Sequence, residues 1–458
     1  MRTADTIAAI ATGMTDAGIG IIRVSGSEAI LVVDRLFRPA KKGSLRLMQT
    51  YTAAFGHVMD GEEMLDEAIV LVMRAPHTYT GEDVVEIQCH GGIVMIRRIL
   101  DAVIRAGARV ADPGEFTKRA FLSGRIDMSQ AESVMDMIHA KNEYSAKASL
   151  MQLRGMLSDE IKSLREKILY HVAYIESALD DPEHYSLDGY SCRLQNDVME
   201  ILGQVRHLIV SADNGKIIKE GIKTVIVGKP NAGKSSLLNA LLGEDRAIVT
   251  DIEGTTRDTL EESVNMDGIS LNIMDTAGIR NTDNIVEKMG VDKAKNNIDD
   301  ADLILYVVDM SRPLDENDYE IMDRIQDKKV IIILNKQDLS PKADKTEIIA
   351  RLDKKTIGFS AKYGQGIPDL FAIIKDMFFH GELKFNDEVY ITNARHKEAL
   401  LHAKESLQNV QDSIDQNMPE DFFSIDLMAA YEELGYIIGE SLEDDLVDKI
   451  FSEFCMGK

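Results

Sequence analysis

Cysteine is scarce: Cys89, Cys192 and Cys455 are the only three in 458 residues. Three scattered thiols cannot make a disulfide framework or a four-ligand zinc site, and they point to a reducing compartment. Long apolar runs are missing too. The longest, such as Leu303 to Val308, are strand-sized and far from the 18 or so residues a membrane span needs. Asp5 beside a very short apolar run does not read as a signal peptide. Positive charge is in deficit, with 52 Lys and Arg against 77 Asp and Glu and a net charge of −25. Such a surface repels phosphate backbones, so any nucleic-acid contact must be local or partner-assisted. No internal repeat or low-complexity tract is evident. With 45% apolar and 28% charged residues the composition is that of a globular protein. At roughly 150 residues per domain the length suggests about three domains. The expectation is a cytoplasmic, multidomain chain without a membrane span.

The pattern changes along the chain. Up to about residue 119 it is mixed α/β, with short β-type runs at Gly20–Val24, Ala68–Met73 and Val84–Gln88 and a helical stretch at Ile93–Ala106. Long helical patterns then run through Ser129–His139, Ala146–Leu179 and Gln195–Ala212. Strand-helix alternation begins abruptly at Lys223 and continues through Ile269–Met274, Leu303–Val308, Val330–Leu334 and Lys355–Phe359, with a last helix near Ile367–Phe379. That is the signature of a doubly wound parallel sheet. Helical patterns return at Ala394–Ile414 and Leu427–Phe454. The expected fold is therefore α/β plus all-α: an N-terminal domain over 1–119, a helical domain split between 120–215 and 381–458, and an α/β domain inserted at 216–380.

Gly228-Lys229-Pro230-Asn231-Ala232-Gly233-Lys234-Ser235 fits G-x-x-x-x-G-K-[ST], and it follows an apolar strand and opens a helix at Ser236. Glycines let consecutive N–H groups wrap a β-phosphate at the positive end of a helix. Lys234 then reaches the β/γ-phosphates and the Ser235 hydroxyl ligates Mg²⁺. Asp275-Thr276-Ala277-Gly278 ends the next strand, where Asp275 can support Mg²⁺ through water and the Gly278 N–H can sense a γ-phosphate. Asn335-Lys336-Gln337-Asp338 ends a later one, and the Asp338 carboxylate can accept from the N1–H and 2-amino group of guanine. Ser360-Ala361-Lys362 matches the remaining base-contact loop. Four motifs in order on four strand ends predict a GTPase.

One part is missing. The position after the Asp275 motif, where Ras-like enzymes carry a water-orienting glutamine, holds Ile279. An arginine finger is worth about 10³–10⁵ in rate, so other electrostatics must stand in if turnover matters. Asn231 offers a neutral oxygen to a large monovalent cation, carbonyls of Thr250 to Asp258 could complete a cage, and Glu287 could hold water. The plainer readings stay open: Asn231 shapes the loop, and Glu287 is a solvated helix residue.

Gly254-Thr255-Thr256-Arg257-Asp258 resembles the switch I signature of Era-like GTPases that bind potassium. The N-terminal Asp5 to Ala9, Gly20 to Gly26, Tyr79-Thr80-Gly81-Glu82-Asp83, His90-Gly91-Gly92 and Pro113-Gly114-Glu115-Phe116, with the tail Cys455-Met456-Gly457-Lys458, resemble the MnmE/TrmE tRNA modification GTPases over essentially the full chain. The resemblance implies a folate-binding N-terminal domain that dimerises, and a GTPase domain whose nucleotide contacts include Asn231 to Ser236, Thr250, Asp251, Ile252, Glu253, Gly254, Thr255, Thr256, Asp275 to Gly278, Asn335, Lys336, Asp338 and Ser360 to Lys362. It further implies Mg²⁺ on Ser235 and Thr256, K⁺ on Asn231, Thr250, Ile252 and Thr255, and Glu287 positioning water. A 5-formyl- or 5,10-methylene-tetrahydrofolate would meet Arg23, Glu82, Arg125 and Lys458, with Cys455 a candidate thiol for the modification step. The implied partners are a second copy, an MnmG/GidA-type flavoprotein and tRNA whose wobble uridine (position 34) gains a carboxymethylaminomethyl or aminomethyl group at C5. Arg125 stands where the family more often carries lysine. Read alone, Arg23 is more readily a surface arginine, Glu82 a helix-packing residue and Cys455 an inert exposed thiol. An Era/Der-like ribosome-assembly factor is the alternative, although the KH-like G-x-x-G loop of such proteins is absent. A scaffold that only positions a partner's catalysis, with Cys455 uninvolved, is a third reading.

Residues 411 to 454 hold thirteen carboxylates against Lys449 alone. The extended basic stretch is Lys118, Arg119, Arg125, Lys141, Lys147, Arg154, Lys162, Arg165 and Lys167, so any tRNA contact, or a basic face of the dimer, is expected to include some of these.

Overall fold

The structure is a computed structural model. It describes residues 5–243, 262–266, 268–274, 298–360, 363, 365–379, 390–440, 442, 444–454 and 457. Two compact units result: Met1–Ile138 with Gln152–Leu194 and Glu405–Lys458, and His139–Met151 with Gln195–Lys404.

The first unit holds a seven-stranded sheet ordered β3-β4-β5-β6-β2-β1-β7, made of β1 (Ile7–Ile10), β2 (Ala17–Ser25), β3 (Phe37–Pro39), β4 (Thr52–Asp60), β5 (Glu63–Met73), β6 (Val84–Gly91) and β7 (Arg109–Val110). Every neighbouring pair is antiparallel except β1 and β7. β5 shows why the sequence makes a sheet here: Ala68, Val70 and Val72 are buried while Glu67 and Ile69 are exposed, the two-residue period of a half-covered strand. The buried face carries the helices Ala29–Leu36 and Ile93–Arg105, which bury Val32, Val33, Ile96, Ile99 and Val103 against it. A second core joins the helices Glu115–Leu122, Met128–Ile138 and Asp444–Ser452 through Ala120, Met128, Met135, Val447 and Phe451.

Two helical runs that read as continuous are broken. Ala146–Leu179 is two helices, Glu143–Leu153 and Met156–Asp180, and Leu427–Phe454 is likewise two, Asp421–Ile438 and Asp444–Ser452. The breaks fall at Gly155 and Gly439, both at φ +90, a left-handed conformation that ends a helix and that glycine adopts without strain.

The second unit carries a six-stranded sheet ordered β13-β12-β11-β8-β10-β9: β8 (Ile222–Val227), β9 (Glu262–Met266), β10 (Ile269–Ile273), β11 (Leu303–Asp309), β12 (Val330–Asn335) and β13 (Lys355–Gly358). Five strands are parallel and match the runs read from the sequence; β9, antiparallel to β10, went unread. β11 and β12 are buried along their whole length, as parallel strands covered on both faces must be. One face packs Leu237, Leu238, Leu241, Leu370 and Ile374, the other Met322, Ile325, Ile348 and Leu352.

β10 alternates apolar and polar residues, yet all five are buried. Its polar face is roofed by an earlier segment. Asn142 Nδ2 donates to Ser270 Oγ at 2.8 Å and to the Ile218 carbonyl at 3.1 Å, and Asn265 Nδ2 donates to the Lys141 carbonyl at 2.6 Å. Ser270 in turn donates to Asn265, and Asn272 Nδ2 donates to the Glu220 carbonyl at 2.6 Å. Asn265, Ser270 and Asn272 are thereby satisfied, which is the condition for burying them. The ring of Tyr144 fills the space beside Gly268, where a Cβ would lie 2.1 Å from it.

Candidate functional site

In a doubly wound sheet ligands bind beyond the carboxyl ends of the strands, where the strand order reverses. Here the chain leaves β8 on one side towards β10 and returns on the other to β11, so the reversal lies at β8. The loop from Gly228 to Gly233 follows directly and the helix Lys234–Leu242 begins at its end. Gly233 sits at φ +105, and a Cβ there would lie 1.9 Å from Asn335 Nδ2. Only glycine permits this approach between the loop and the end of β12. Asn231 is also left-handed, at φ +63. The Lys234 ammonium points into the loop and donates to the carbonyls of Gly228 at 2.7 Å and Lys229 at 2.9 Å. Burial holds its pKa below the ordinary lysine value. Ser235 and Ser236 occupy the first turn of the helix, where backbone N–H groups lack helical partners.

The Asn335 motif is wired into this loop. Asn335 Nδ2 donates to the Ala232 carbonyl at 2.8 Å. Lys336, left-handed at φ +62, bridges the Asn231 carbonyl at 3.0 Å and Asp309 Oδ2 at 2.7 Å. Asp309 closes β11. Burial would raise its pKa, but hydrogen bonds from Lys336 and Ser311 outweigh it and hold the carboxyl below the ordinary aspartate value. Ser360 Oγ donates to Asp338 Oδ1 at 3.2 Å, joining the two base-contact loops read from the sequence. Residues 228–236, 335–338 and 360 thus form one hydrogen-bonded group at the ends of β8, β12 and β13. Thr250, Asp251, Ile252, Glu253, Gly254, Thr255, Thr256, Asp275, Thr276, Ala277, Gly278, Glu287, Ala361, Lys362, Cys455 and Lys458 lie outside the described residues.

A second cluster occupies the first unit. Arg23 Nε pairs with Glu86 at 2.9 Å, and its Nη1 donates to the Gly457 carbonyl at 3.3 Å. Its guanidinium lies 5.7 Å from the Tyr79 ring centre, and that of Arg125 lies 4.9 Å from the same ring while donating to the Tyr79 carbonyl at 3.1 Å. Glu82 follows three residues after Tyr79 and receives Ser25 Oγ at 2.8 Å and Arg119 Nη1 on both oxygens at 3.0 Å. Arg23, Glu82 and Arg125, far apart in sequence, therefore gather about Tyr79.

Sequence reasoning missed several neighbours. Arg119 is buried and held by Asp5 and Glu115 as well as Glu82, and Arg109 pairs with the same Asp5 and Glu115. Asp5, Arg109, Lys118, Arg119 and Phe451 line an open cavity of about 660 Å³. Arg119 is thus taken up in ion pairs, and two other members of the basic stretch are also engaged. Lys118 is paired with Asp448, and Arg165 is buried, paired with Glu440 and stacked 3.9 Å from the Tyr431 ring centre. Lys229 and Asp309 were also unread; a charged residue closing a central strand is the signal that could have marked Asp309. Among the described residues no His, Cys, Asp and Glu group could hold a metal ion, and no helix is long and apolar enough to cross a membrane.

Comparison with known proteins places this geometry. The family model for the MnmE helical domain matches residues 128–455, and that for the N-terminus of the GTP-binding protein TrmE matches residues 6–125. The tRNA modification GTPase MnmE of Lachnoclostridium phytofermentans is 54% identical over 459 residues, covering 100% of both chains. Proteins of the same name from Clostridioides difficile and Thermoanaerobacter pseudethanolicus are each 46% identical, over 455 and 457 residues and 99% of each chain. Among solved structures, the G domain of the T. maritima FeoB iron transporter is 28% identical, covering 34% of this chain and 97% of its own, with a TM-score of 0.26. A sequence matched from end to end by relatives of 46–54% identity leads to one assignment: the chain belongs to the MnmE family of tRNA modification GTPases.

Proposed function

We propose that the chain acts on tRNA, coupling GTP hydrolysis to the addition of a carboxymethylaminomethyl or aminomethyl group at C5 of the wobble uridine, together with an MnmG/GidA-type flavoprotein. The observation that carries this reading is the full-length match to relatives named for tRNA modification. It works as a homodimer in the cytoplasm.

In this mechanism the loop N–H groups from Asn231 to Ser235 surround the β-phosphate, and Lys234 turns its ammonium from the Gly228 and Lys229 carbonyls to the β/γ-oxygens. Asp338, oriented by Ser360, reads the guanine edge. Ser235 and Thr256 hold Mg²⁺. Asn231, Thr250, Ile252 and Thr255 hold K⁺, which supplies the positive charge an arginine finger would bring; the side-chain amide of the left-handed Asn231 is a neutral oxygen donor of the right kind. Glu287 positions the attacking water in place of the glutamine that Ile279 replaces.

The cluster about Tyr79 suits a tetrahydrofolate: two guanidiniums for its carboxylates, an aromatic ring for its planar part, and a carboxylate for its N–H edge. Arg119 and Ser25 use three of the roughly four lone-pair positions of Glu82, leaving one for a ligand donor. When bound, the folate supplies the one-carbon unit, while Arg23, Glu82, Arg125 and Lys458 bind and orient it, and Cys455 is the candidate thiol for the modification step.

Nucleoside analysis of tRNA from a deletion strain tests the reading. Loss of the C5-modified wobble uridine is expected; an unchanged nucleoside profile with defective ribosome assembly would replace it with an Era/Der-like role. The cation is tested by exchanging KCl for NaCl in a GTPase assay, where a drop of at least about tenfold is expected and equal rates would remove K⁺ from the mechanism.

A further inference from the structure

We propose that Asp315 and Asp318 are positioning residues of the GTPase reaction, holding the phosphate-binding loop through the side chain of Lys229. Lys229 is an open position of the loop pattern, where any residue satisfies G-x-x-x-x-G-K-[ST]. In the structure it ties two things together. Its ammonium, with the side chain 17% exposed, lies 2.8 Å from Asp315 Oδ2 and 2.5 Å from Asp318 Oδ2. Its carbonyl faces into the loop and accepts both Lys234 Nζ at 2.9 Å and the Ala232 N–H at 3.2 Å. The backbone that shapes the cradle is thus anchored from outside by a charge pair.

The anchor itself is fixed. Asp315 caps the helix Glu316–Ile325, its Oδ1 accepting the N–H groups of Asn317 and Asp318, while Asp318 Oδ2 accepts the Asp315 N–H at 3.0 Å. Asp318 is 2% exposed and also receives the Tyr306 hydroxyl at 3.4 Å. The two acids form a capping box, Asp315 as the cap and Asp318 returning a bond to its N–H. A second carboxylate buried beside the cap carries a desolvation cost, which the lysine from the loop offsets. The arrangement makes Lys229 the third partner of the cap and sets the loop's first turn relative to β11 and the helix that follows it.

An anchor that acts on the loop before ligand arrives favours ground and transition states equally. Its loss therefore raises KM for GTP and the Kd for GDP while leaving kcat in place. From the worth of hydrogen bonds to charged groups, the expected change is about tenfold to a hundredfold.

The test uses the full chain and compares wild type, Lys229→Met, Lys229→Arg, Asp318→Asn and Asp315→Asn. KM and kcat for GTP, Kd for a fluorescent GDP analogue and the melting temperature without nucleotide are measured. Expected are a rise in KM and Kd of about tenfold or more in Lys229→Met with kcat within about twofold, recovery in Lys229→Arg, and no further loss of affinity when Asp318→Asn is added to Lys229→Met. Asp315 is half exposed, so Asp315→Asn serves if Asp318→Asn does not fold. Unchanged KM and Kd in a folded Lys229→Met chain would overturn the proposal, as would a fall in kcat alone. A wild-type chain that failed to bind the GDP analogue would instead overturn the nucleotide site.

Discussion

Replacing Gly233 by alanine tests the contact that joins the Gly228–Gly233 loop to Asn335 at the end of β12. Two costs follow from the structure. An L-residue at φ +105 meets a penalty of roughly 1–2 kcal/mol. The new methyl would fall 1.9 Å from Asn335 Nδ2, so Asn335 must swing away and leave the buried Ala232 carbonyl without its 2.8 Å donor, costing about 1–3 kcal/mol. Together these amount to about 2–5 kcal/mol, or a loss of nucleotide affinity of about 30-fold to several thousandfold at 1.4 kcal/mol per decade. Titration with a fluorescent GDP analogue reads the change directly. The second half of the cost depends on Asn335, so it should disappear in an Asn335→Ala background, giving a coupling of about 1–3 kcal/mol in a double-mutant cycle. A Gly233→Ala chain that binds GDP within threefold of wild type, or a cycle with no coupling, would refute the reasoning.

Two other outcomes are expected. His90 Nδ1 donates to Asp66 Oδ1 across 2.7 Å, and that hydrogen bond, with the charge of Asp66, raises the imidazole pKa above its ordinary value. A raised folded pKa means the contribution is complete below about pH 6.5 and fades as pH rises through the folded value, so the melting-temperature gap between wild type and His90→Gln should shrink from pH 6 to pH 9. A gap that stays constant or widens would contradict this. Arg165→Met should lower stability by about 1–2 kcal/mol, because the Tyr431 carbonyl loses its 3.1 Å donor while the half-exposed Glu440 remains solvated. Filter binding at low salt should show tRNA affinity unchanged; a marked fall would return Arg165 to the RNA surface.

The nucleotide-site expectation came from short contiguous motifs, two of which, the Gly228 loop and the Asn335 motif, the structure brings into contact. Gly228 to Ser235 and Asn335 to Asp338 each follow a largely apolar strand, and both periodicity and pattern agree there. β9 was not legible: Glu262-Ser263-Val264-Asn265-Met266 carries a buried apolar residue between polar ones, and its partners come from Lys141 and β10. Helix breaks at Gly155 and Gly439 escaped because a lone glycine in a helical pattern costs only about 1 kcal/mol and is often tolerated. The ion pairs around Arg119 escaped for another reason. Asp5 and Arg119 are 114 positions apart, and nothing local in a basic run distinguishes a buried arginine from a solvated one. The same holds for Arg165, whose pairing with Glu440 and Tyr431 spans more than 260 positions.

The roof over β9 and β10 bears on how this chain can be cut. Its donors and acceptors at Lys141 and Asn142 precede the strands they cover by 124 and 128 positions. A fragment begun at Lys216 would keep Ile218 and Glu220 but shed those two residues and Tyr144, leaving Asn265 and Ser270 to water and a trough above Gly268. The autonomous piece is defined by packing, and a truncation drawn along the gene removes its lid without touching any recognised motif.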